Sequence, residues 1–357
     1  MFNARSKASP KQKKIVRIAV VCFVVLCLLV EVLGRIPGIP FNGWRDVFSL
    51  IGMTQPPTIA QNELQVHFID VGHADCMLVR QGEHNMLIDT GESTYLKLLT
   101  DYLDRHEIEK LDLVISTHPH GDHMGMMTEV IQHVEVERFV MSYMPEGEEP
   151  TLPAYWTMLE ALDECGAVVE EAKPGATYAL GDAAVQILAP LPLDEPIEDA
   201  NQISVVARLT FGEHAFLFTG DAEEDLEERM VASGCDLSAD VLKVAHHGSN
   251  TSTSPAFLKA VSPQYAVITC GKNNYGHPTT EVVTRLVEAN AQIFRTDVHG
   301  DIVFTSDGRE LSVKTEKTIE NARSLSLTPR VVAMKYKILR TAVQTAVLYF
   351  NNYLTIT

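Results

Sequence analysis

His118-Pro119-His120-Gly121-Asp122-His123 puts three imidazoles and a carboxylate within six residues. The stretch follows directly on Leu111-Asp112-Leu113-Val114-Ile115-Ser116-Thr117, an apolar run that reads as a buried strand. The cluster therefore lies on the loop at that strand's carboxyl end. Imidazole nitrogen and carboxylate oxygen are the ligands that zinc and similar divalent metals prefer. The spacing lets His118 and His120 point one way while Asp122 and His123 turn toward a second position. One loop can thus hold two metals about 3.5–4 Å apart, the arrangement used by two-metal hydrolases.

Other chemical groups follow the same pattern. Upstream, Leu64 to Asp70 reads as a strand running into the loop Val71-Gly72-His73-Ala74-Asp75. A hairpin of Cys76–Arg80 and Asn85–Asp89 then closes on Asp89-Thr90-Gly91. A carboxylate at the end of an apolar strand is costly unless paired. Asp89 is expected to accept a hydrogen bond from a metal-bound histidine and so fix its tautomer. Downstream, His214 to Phe218 leads into Thr219-Gly220-Asp221, where Asp221 can bridge both metals, and a helix with Leu226 and Met230 on one face follows. A third strand, Val241 onward, ends in His246-His247-Gly248-Ser249. Each group sits where an apolar strand stops, which is where open sheets build sites.

Taken in order, these motifs resemble the metallo-β-lactamase superfamily of hydrolases, and within it the hydrolase domain of the ComEC competence proteins and the phosphorylcholine esterases. The resemblance is carried by residues 70–75, 87–91, the 118–123 tetrad, Asn201 to Val206, Thr219-Gly220-Asp221, residues 246–249 and Tyr275-Gly276-His277-Pro278. It implies an α/β fold, an αββα sandwich with two metals at one edge of the sheets. It also brings the 73–75 loop near the metals, so Asp75 joins Asp89 as a carboxylate expected to support the ligands from behind. One departure stands out: no histidine occurs between His133 and His214, where many members supply a third ligand to the first metal. Asn201, expected to open a strand, stands about there. The first metal is then expected to take His118, His120 and Asp221, with room left for water and substrate. The second takes Asp122, His123, Asp221 and one of His246 and His247, the other facing substrate or donating a proton; adjacent residues do not easily face one metal, and spacing leaves open which is which.

Asn201, Tyr275 and His277 are the expected substrate-binding residues, each a donor suited to phosphoryl oxygens. Asp122, Asp221 and His277 are the expected catalytic residues. His67, His84, His106, His133, His214 and His299 read as structural or surface histidines. Zinc is the expected metal, with manganese the other candidate.

The chain has 357 residues and a formal charge of −18. Residues 1–33 carry net +5 and residues 316–357 net +4, so the segment between them carries −27. That much negative charge opposes nonspecific nucleic-acid binding, which depends on neutralising phosphates. Six cysteines are scattered without framework spacing and read as free thiols. Residues 1–14 are basic, and Ile15 to Leu33 is almost wholly apolar, with Ile18 to Val30 uninterrupted. No A-x-A-like cleavage site follows, so an uncleaved signal anchor is expected, and the basic flank places the hydrolase outside the cytoplasm. The expected organisation is a basic segment 1–14, a transmembrane helix 15–33, a linker 34–62, the hydrolase domain 63–315 and a tail 316–357. The expected function is a membrane-anchored, extracytoplasmic, binuclear phosphodiesterase acting on a nucleic acid or a phosphocholine-type ester. Carbon-ester, lactone or β-lactam hydrolysis on the same fold is the rival, and a non-catalytic surface binding domain is the alternative of a different class.

Overall fold

A computed structural model describes residues 59–317, apart from 145, 146, 148, 194 and 195. The expected membrane anchor and most of the tail lie outside the described residues. Among the described residues no helix is long and apolar enough to cross a membrane.

In chain order the first half comprises β1 (Leu64–Phe68), β2 (Met77–Gln81), β3 (His84–Ile88), α1 (Leu96–Arg105), β4 (Lys110–Leu111), β5 (Leu113–Ser116), α2 (Gly121–Met124), α3 (Met127–His133), β6 (Glu135–Val136), β7 (Arg138–Met141), α4 (Pro153–Cys165) and β8 (Val168–Glu171). The second half comprises β9 (Thr177–Leu180), β10 (Ala183–Ala189), β11 (Val206–Phe211), β12 (His214–Phe218), α5 (Glu224–Ser233), β13 (Val241–Lys243), α6 (Pro255–Val261), β14 (Tyr265–Ile268), α7 (Thr280–Glu288), β15 (Gln292–Arg295) and α8 (Thr296–His299). The hairpin β16 (Ile302–Ser306) and β17 (Leu311–Thr315) closes it.

These strands form an eight-stranded sheet ordered β17-β16-β1-β2-β3-β5-β7-β8 and a seven-stranded sheet ordered β15-β14-β13-β12-β11-β10-β9. The chain returns to the first sheet at the end, β16 pairing antiparallel with β1. Alternating residues explain why the sheets stack. Leu64, Val66 and Phe68 of β1 join Val185 and Ile187 of β10 and Phe216 and Phe218 of β12 in one buried cluster. Phe68 meets Phe218 and Phe304 with ring centroids 6.2 and 6.0 Å apart, so aromatic rings from both sheets interlock. Burying each such side chain contributes roughly 1.5–3 kcal/mol.

The central strands are apolar on both faces because both faces are covered. Leu217 and Leu242, turned away from the first sheet, pack with Leu226 and Met230 of α5, Phe257 of α6 and Leu286 of α7. On the first sheet Leu87, Val114 and Phe139 are also fully buried though outside the inter-sheet cluster. The α/β sandwich expected from the motifs is therefore present.

Topology gathers the polar segments at one edge. β3 and β5 run parallel, as do β12, β13 and β14, so residues 89, 117–118, 219–221, 244–247 and 269–270 all follow carboxyl ends. β11 runs antiparallel to β12, which brings the segment before it to the same edge. The amide of Val205 donates to the Thr117 carbonyl at 2.9 Å and ties the two sheets together there.

Two local expectations are corrected. Asn201 does not open a strand; it lies in a 3-10 turn, Ala200–Ile203, and the strand begins at Val206. The cause is Asp199, whose carboxylate accepts the Asn201 amide at 2.8 Å as a cap. The third strand also stops at Lys243, and the histidines sit in a separate turn, Ala245–Gly248.

Candidate metal centre

Four imidazoles converge on one carboxylate oxygen. Oδ2 of Asp221 lies 3.3 Å from Nε2 of His123, 3.7 Å from that of His247, 3.8 Å from that of His246 and 4.0 Å from that of His118. His118, His123, His247 and Asp221 are buried, and His246 is partly exposed.

The tautomers follow from what each Nδ1 meets. Nδ1 of His123 lies 2.8 Å from Asp89 Oδ2 and so carries the proton it donates. Nδ1 of His247 donates to the Thr269 carbonyl at 2.8 Å. Nδ1 of His246 faces Glu223 Oε1 at 3.0 Å. The Thr117 hydroxyl gives its proton to Asp89 at 2.6 Å and can accept from Nδ1 of His118 at 3.1 Å. With each Nδ1 so engaged, Nε2 is the nitrogen that these imidazoles turn toward Asp221 and can offer to a cation. Nε2 of His123, Nε2 of His247 and Oδ1 of Asp221 are buried with no hydrogen-bond partner. Ring nitrogens and a carboxylate buried together without partners form a donor set that cations satisfy, so the residues fit a metal centre.

Three donor groups that share His123 are present among the described residues: His118 with His123 and Asp221, Asp122 with His123 and His247, and Asp75 with Asp89 and His123. His120 adjoins the first, its Nδ1 3.0 Å from Nε2 of His118, and its Nε2 lies 4.0 Å from Asp199. Asp122 belongs to the second, its Oδ2 3.4 Å from Nε2 of His247. So His247, not His246, stands with Asp122 and His123. Both nevertheless approach Asp221, although adjacent residues were expected to diverge. Their backbones explain it: His246 and His247 both adopt left-handed conformations, with φ of 49° and 51°.

The electrostatics follow the crowding. Burial opposes charge on His123, but Asp221 and Asp89 outweigh it and hold the imidazole well above the usual histidine range. Burial, then the neighbouring His123, pushes His118 well below it. Burial acts against the Asp221 carboxylate, yet His123 and His247 hold it well below its ordinary range. Asp122 shows the same balance, with the neighbouring His247 as the main opposing influence. Asp89 is raised by burial, partly offset by His123.

At the mouth, Asn201 is buried and shares a hydrogen bond with Glu223, whose carboxyl is lowered chiefly by the His246 hydrogen bond. Tyr275 is 77% exposed. Its ring stacks with those of His73 and His277 at 5.8 and 5.7 Å between centroids. Asn273 shapes this loop from within, accepting the amides of residues 275, 276 and 277 and donating to the His277 carbonyl. His277 lies 5.6 Å from the His246 ring and His73 lies 4.6 Å from that of His247. His67, His84, His214 and His299 make their contacts with Gln65, Asp112, Ser306 and residue 295 instead.

Three residues at the centre escaped the sequence reading. Glu223 lies two positions past Asp221 and holds His246. Lys243 is a fully buried cation ending an apolar strand, and that mismatch was the available signal. His73, in the loop that the resemblance brings near the metals but given no role by it, packs against His247. Asp75, fully buried, pairs with Lys243 at 2.5 Å and accepts from the Thr269 hydroxyl at 2.5 Å.

The chain is similar to known proteins. The model of the metallo-beta-lactamase superfamily matches residues 69–272. The chain is 32% identical over 267 residues to ComE operon protein 3 of Bacillus subtilis (strain 168), covering 70% of this chain and 34% of that protein. It is 30% identical over 289 residues to competence protein ComA of Neisseria gonorrhoeae, covering 80% of this chain and 38% of that one. The chain thus spans about a third of the length of these relatives. Among solved structures, the metallo-beta-lactamase fold protein YhfI from Bacillus subtilis superposes with a TM-score of 0.46 at 14% identity, covering 68% of this chain and 100% of that one.

Proposed function

The chain belongs to the metallo-beta-lactamase superfamily and is a metal-dependent hydrolase, and from that premise we propose that it is a binuclear phosphodiesterase anchored at the outer face of a cell membrane. The observation that carries the binuclear reading is the convergence of four imidazole Nε2 atoms within 4.0 Å of Oδ2 of Asp221. His118, His120 and Asp221 would hold one divalent cation, and Asp122, His123, His247 and Asp221 the other. Zinc suits this nitrogen-rich set, with manganese the second choice. When bound, such a pair acidifies water and stabilises negative charge gained by the substrate.

The protein's own groups do the rest. Asp89, Thr117 and Thr269 hold the ligand imidazoles in the tautomer that bares Nε2. Glu223 orients His246, whose partly exposed ring faces His277 across the mouth. Asn201, Tyr275 and His277 offer amide, phenol and imidazole donors for phosphoryl oxygens and for the leaving group. Burial, then His246 and His247, lowers His277 from its ordinary value. The charge of −27 on residues 34–315 favours a short or zwitterionic phosphodiester over a long bare polyanion. The anchored, extracytoplasmic location rests on the Ile18–Val30 run and its basic flank.

The test is a panel of phosphodiesters, lactones and β-lactams assayed with and without chelator, with zinc or manganese restored afterwards. Chelator-sensitive turnover of phosphodiesters is the expected result. Turnover confined to lactones or β-lactams would move the substrate class to carbon esters or amides. A reporter fused after Lys314 should be extracytoplasmic and resist a salt wash; release at a new amino terminus beyond Leu33 would refute the anchor.

A further inference from the structure

Behind the shared carboxylate lies a cation that the ligand scheme does not use. Lys243 is 0% exposed at the end of β13. Its Nζ donates to the Gly220 carbonyl at 2.9 Å, pairs with Asp75 Oδ2 at 2.5 Å and lies 3.7 Å from Asp221 Oδ1. A buried ammonium persists only when paired, and Asp75 already supplies that pairing. Neutralisation alone therefore leaves unexplained why the same ammonium also grips the residue before Asp221 and faces its side chain.

The two oxygens of Asp221 have different surroundings. Oδ2 is the one that the four Nε2 atoms surround, whereas Oδ1 is buried, accepts no hydrogen bond and faces the ammonium. A carboxylate free to turn offers one oxygen to each of two cations and lets them drift apart. One whose second oxygen is drawn toward a fixed positive charge offers only one. We propose that Lys243 is a positioning residue that turns Oδ1 of Asp221 away from the metals, so that both cations share the single oxygen Oδ2. The Gly220 contact fixes the backbone of the turn, and Asp75 holds the ammonium in register while its other oxygen lies 3.5 Å from Nδ1 of His247. One buried pair thereby couples the bridging carboxylate to a ligand of the second metal. The inference rests on the binuclear reading proposed above.

The test loads the full chain with Mn2+ alone and reads two quantities, the dissociation constant of the second ion and the exchange coupling between the ions by electron paramagnetic resonance. The variant is Lys243→Met with Asp75→Asn, which removes both charges and leaves no buried ion unpaired. The dissociation constant should rise about 10–100-fold, the usual consequence of removing a group that orients a ligand. The coupling should weaken at full occupancy, a change that general loosening of the core does not predict. If the double variant does not fold, Lys243→Gln takes its place: it can still donate to Gly220 but brings no cation to Oδ1, and the same weakening is expected. Unchanged coupling in whichever variant folds overturns the role of Lys243, whatever the affinity does. Uptake of fewer than two Mn2+ by the unsubstituted chain would instead undo the binuclear reading.

Discussion

Asp89→Asn isolates one proton. Asp89 is fully buried and accepts three hydrogen bonds, from the Thr117 amide at 2.8 Å, the Thr117 hydroxyl at 2.6 Å and Nδ1 of His123 at 2.8 Å. Asparagine has the same shape and tolerates the left-handed backbone at this position, where φ is 54°. It has only one accepting oxygen, however. In either amide orientation an NH2 group faces the Thr117 amide or the His123 ring. A backbone amide cannot shed its proton, but an imidazole can move its own from Nδ1 to Nε2. The amide oxygen then settles on Thr117, the NH2 donates to Nδ1 of His123, and Nε2 gains a proton where a metal needs a lone pair. An unmet buried donor costs about 1–3 kcal/mol, and altering the partner of a ligand histidine lowers metal affinity about 10–100-fold, or about 1.4–2.8 kcal/mol. The two figures agree, so the expected outcome is a loss in that range. Titration calorimetry with zinc at pH 7 measures it, and thermal unfolding of the metal-free protein serves as the control. Zinc affinity within twofold of the unsubstituted chain would show that Asp89 does not set the tautomer.

Asp221→Ala should abolish uptake of at least one metal and lower turnover by orders of magnitude, read by elemental analysis after gel filtration and by rate; near-normal turnover would place the shared ligand elsewhere. Stripping the metals with chelator should lower the unfolding temperature, since a cation held at 100 times its dissociation constant stabilises by about 2.7 kcal/mol; an unchanged melting curve would mean that no metal was bound. His277→Ala should leave metal content intact and slow hydrolysis of a phosphodiester with a poor leaving group by about 10²–10⁴. The loss should shrink for p-nitrophenyl esters, and an equal loss on both would leave His277 only a positioning role. His73 is brought down to about 4 by burial, then by His247 and His277. Between its ordinary 6.5 and about 4 the unfolded chain takes up a proton that the folded chain refuses, so metal-free stability should fall as the pH drops through that window. Denaturant unfolding from pH 7 to 4 should show a flatter decline for His73→Asn; parallel curves would contradict the burial argument.

What could be read from the chain depended on how local its cause was. The tetrad declares itself because its groups are consecutive, and the strands before it declare themselves because burial on both faces requires unbroken apolar runs. Asp89 and Asp221 stand out as carboxylates closing such runs. Lys243 breaks the same rule with the opposite sign, but its partners Asp75 and Gly220 lie far off in the chain, so only the fold shows what its charge serves. Asn201 misled for a local reason: Asp199 caps a 3-10 turn ahead of β11 and moves the strand's start to Val206. Glu223 looks like an ordinary acidic residue before a helix, and its hold on His246 depends on a turn 23 residues later. The apolar run near the amino terminus lies outside the described residues.

That turn shows what the site demands of the backbone. In a strand, neighbouring side chains point to opposite faces, and in a helix they diverge by about 100°, so His246 and His247 could not both meet Asp221 from either. Two successive left-handed residues bring both Nε2 atoms within 3.8 Å of Oδ2. Such conformations cost on the order of 1–3 kcal/mol each outside glycine. Several contacts offset this: Glu223 on His246, the Thr269 carbonyl on His247, and the Ser249 amide closing the turn onto the His246 carbonyl at 2.8 Å. Gly248 continues the left-handed path with φ of 83°, and a Cβ there would lie 2.6 Å from Cβ of Pro278. The His246 turn and the loop bearing Tyr275 and His277 can therefore pack this closely only with glycine between them. The strain thus serves two ends: it aims two histidines at one carboxylate oxygen, and it seats the donor-bearing loop against them.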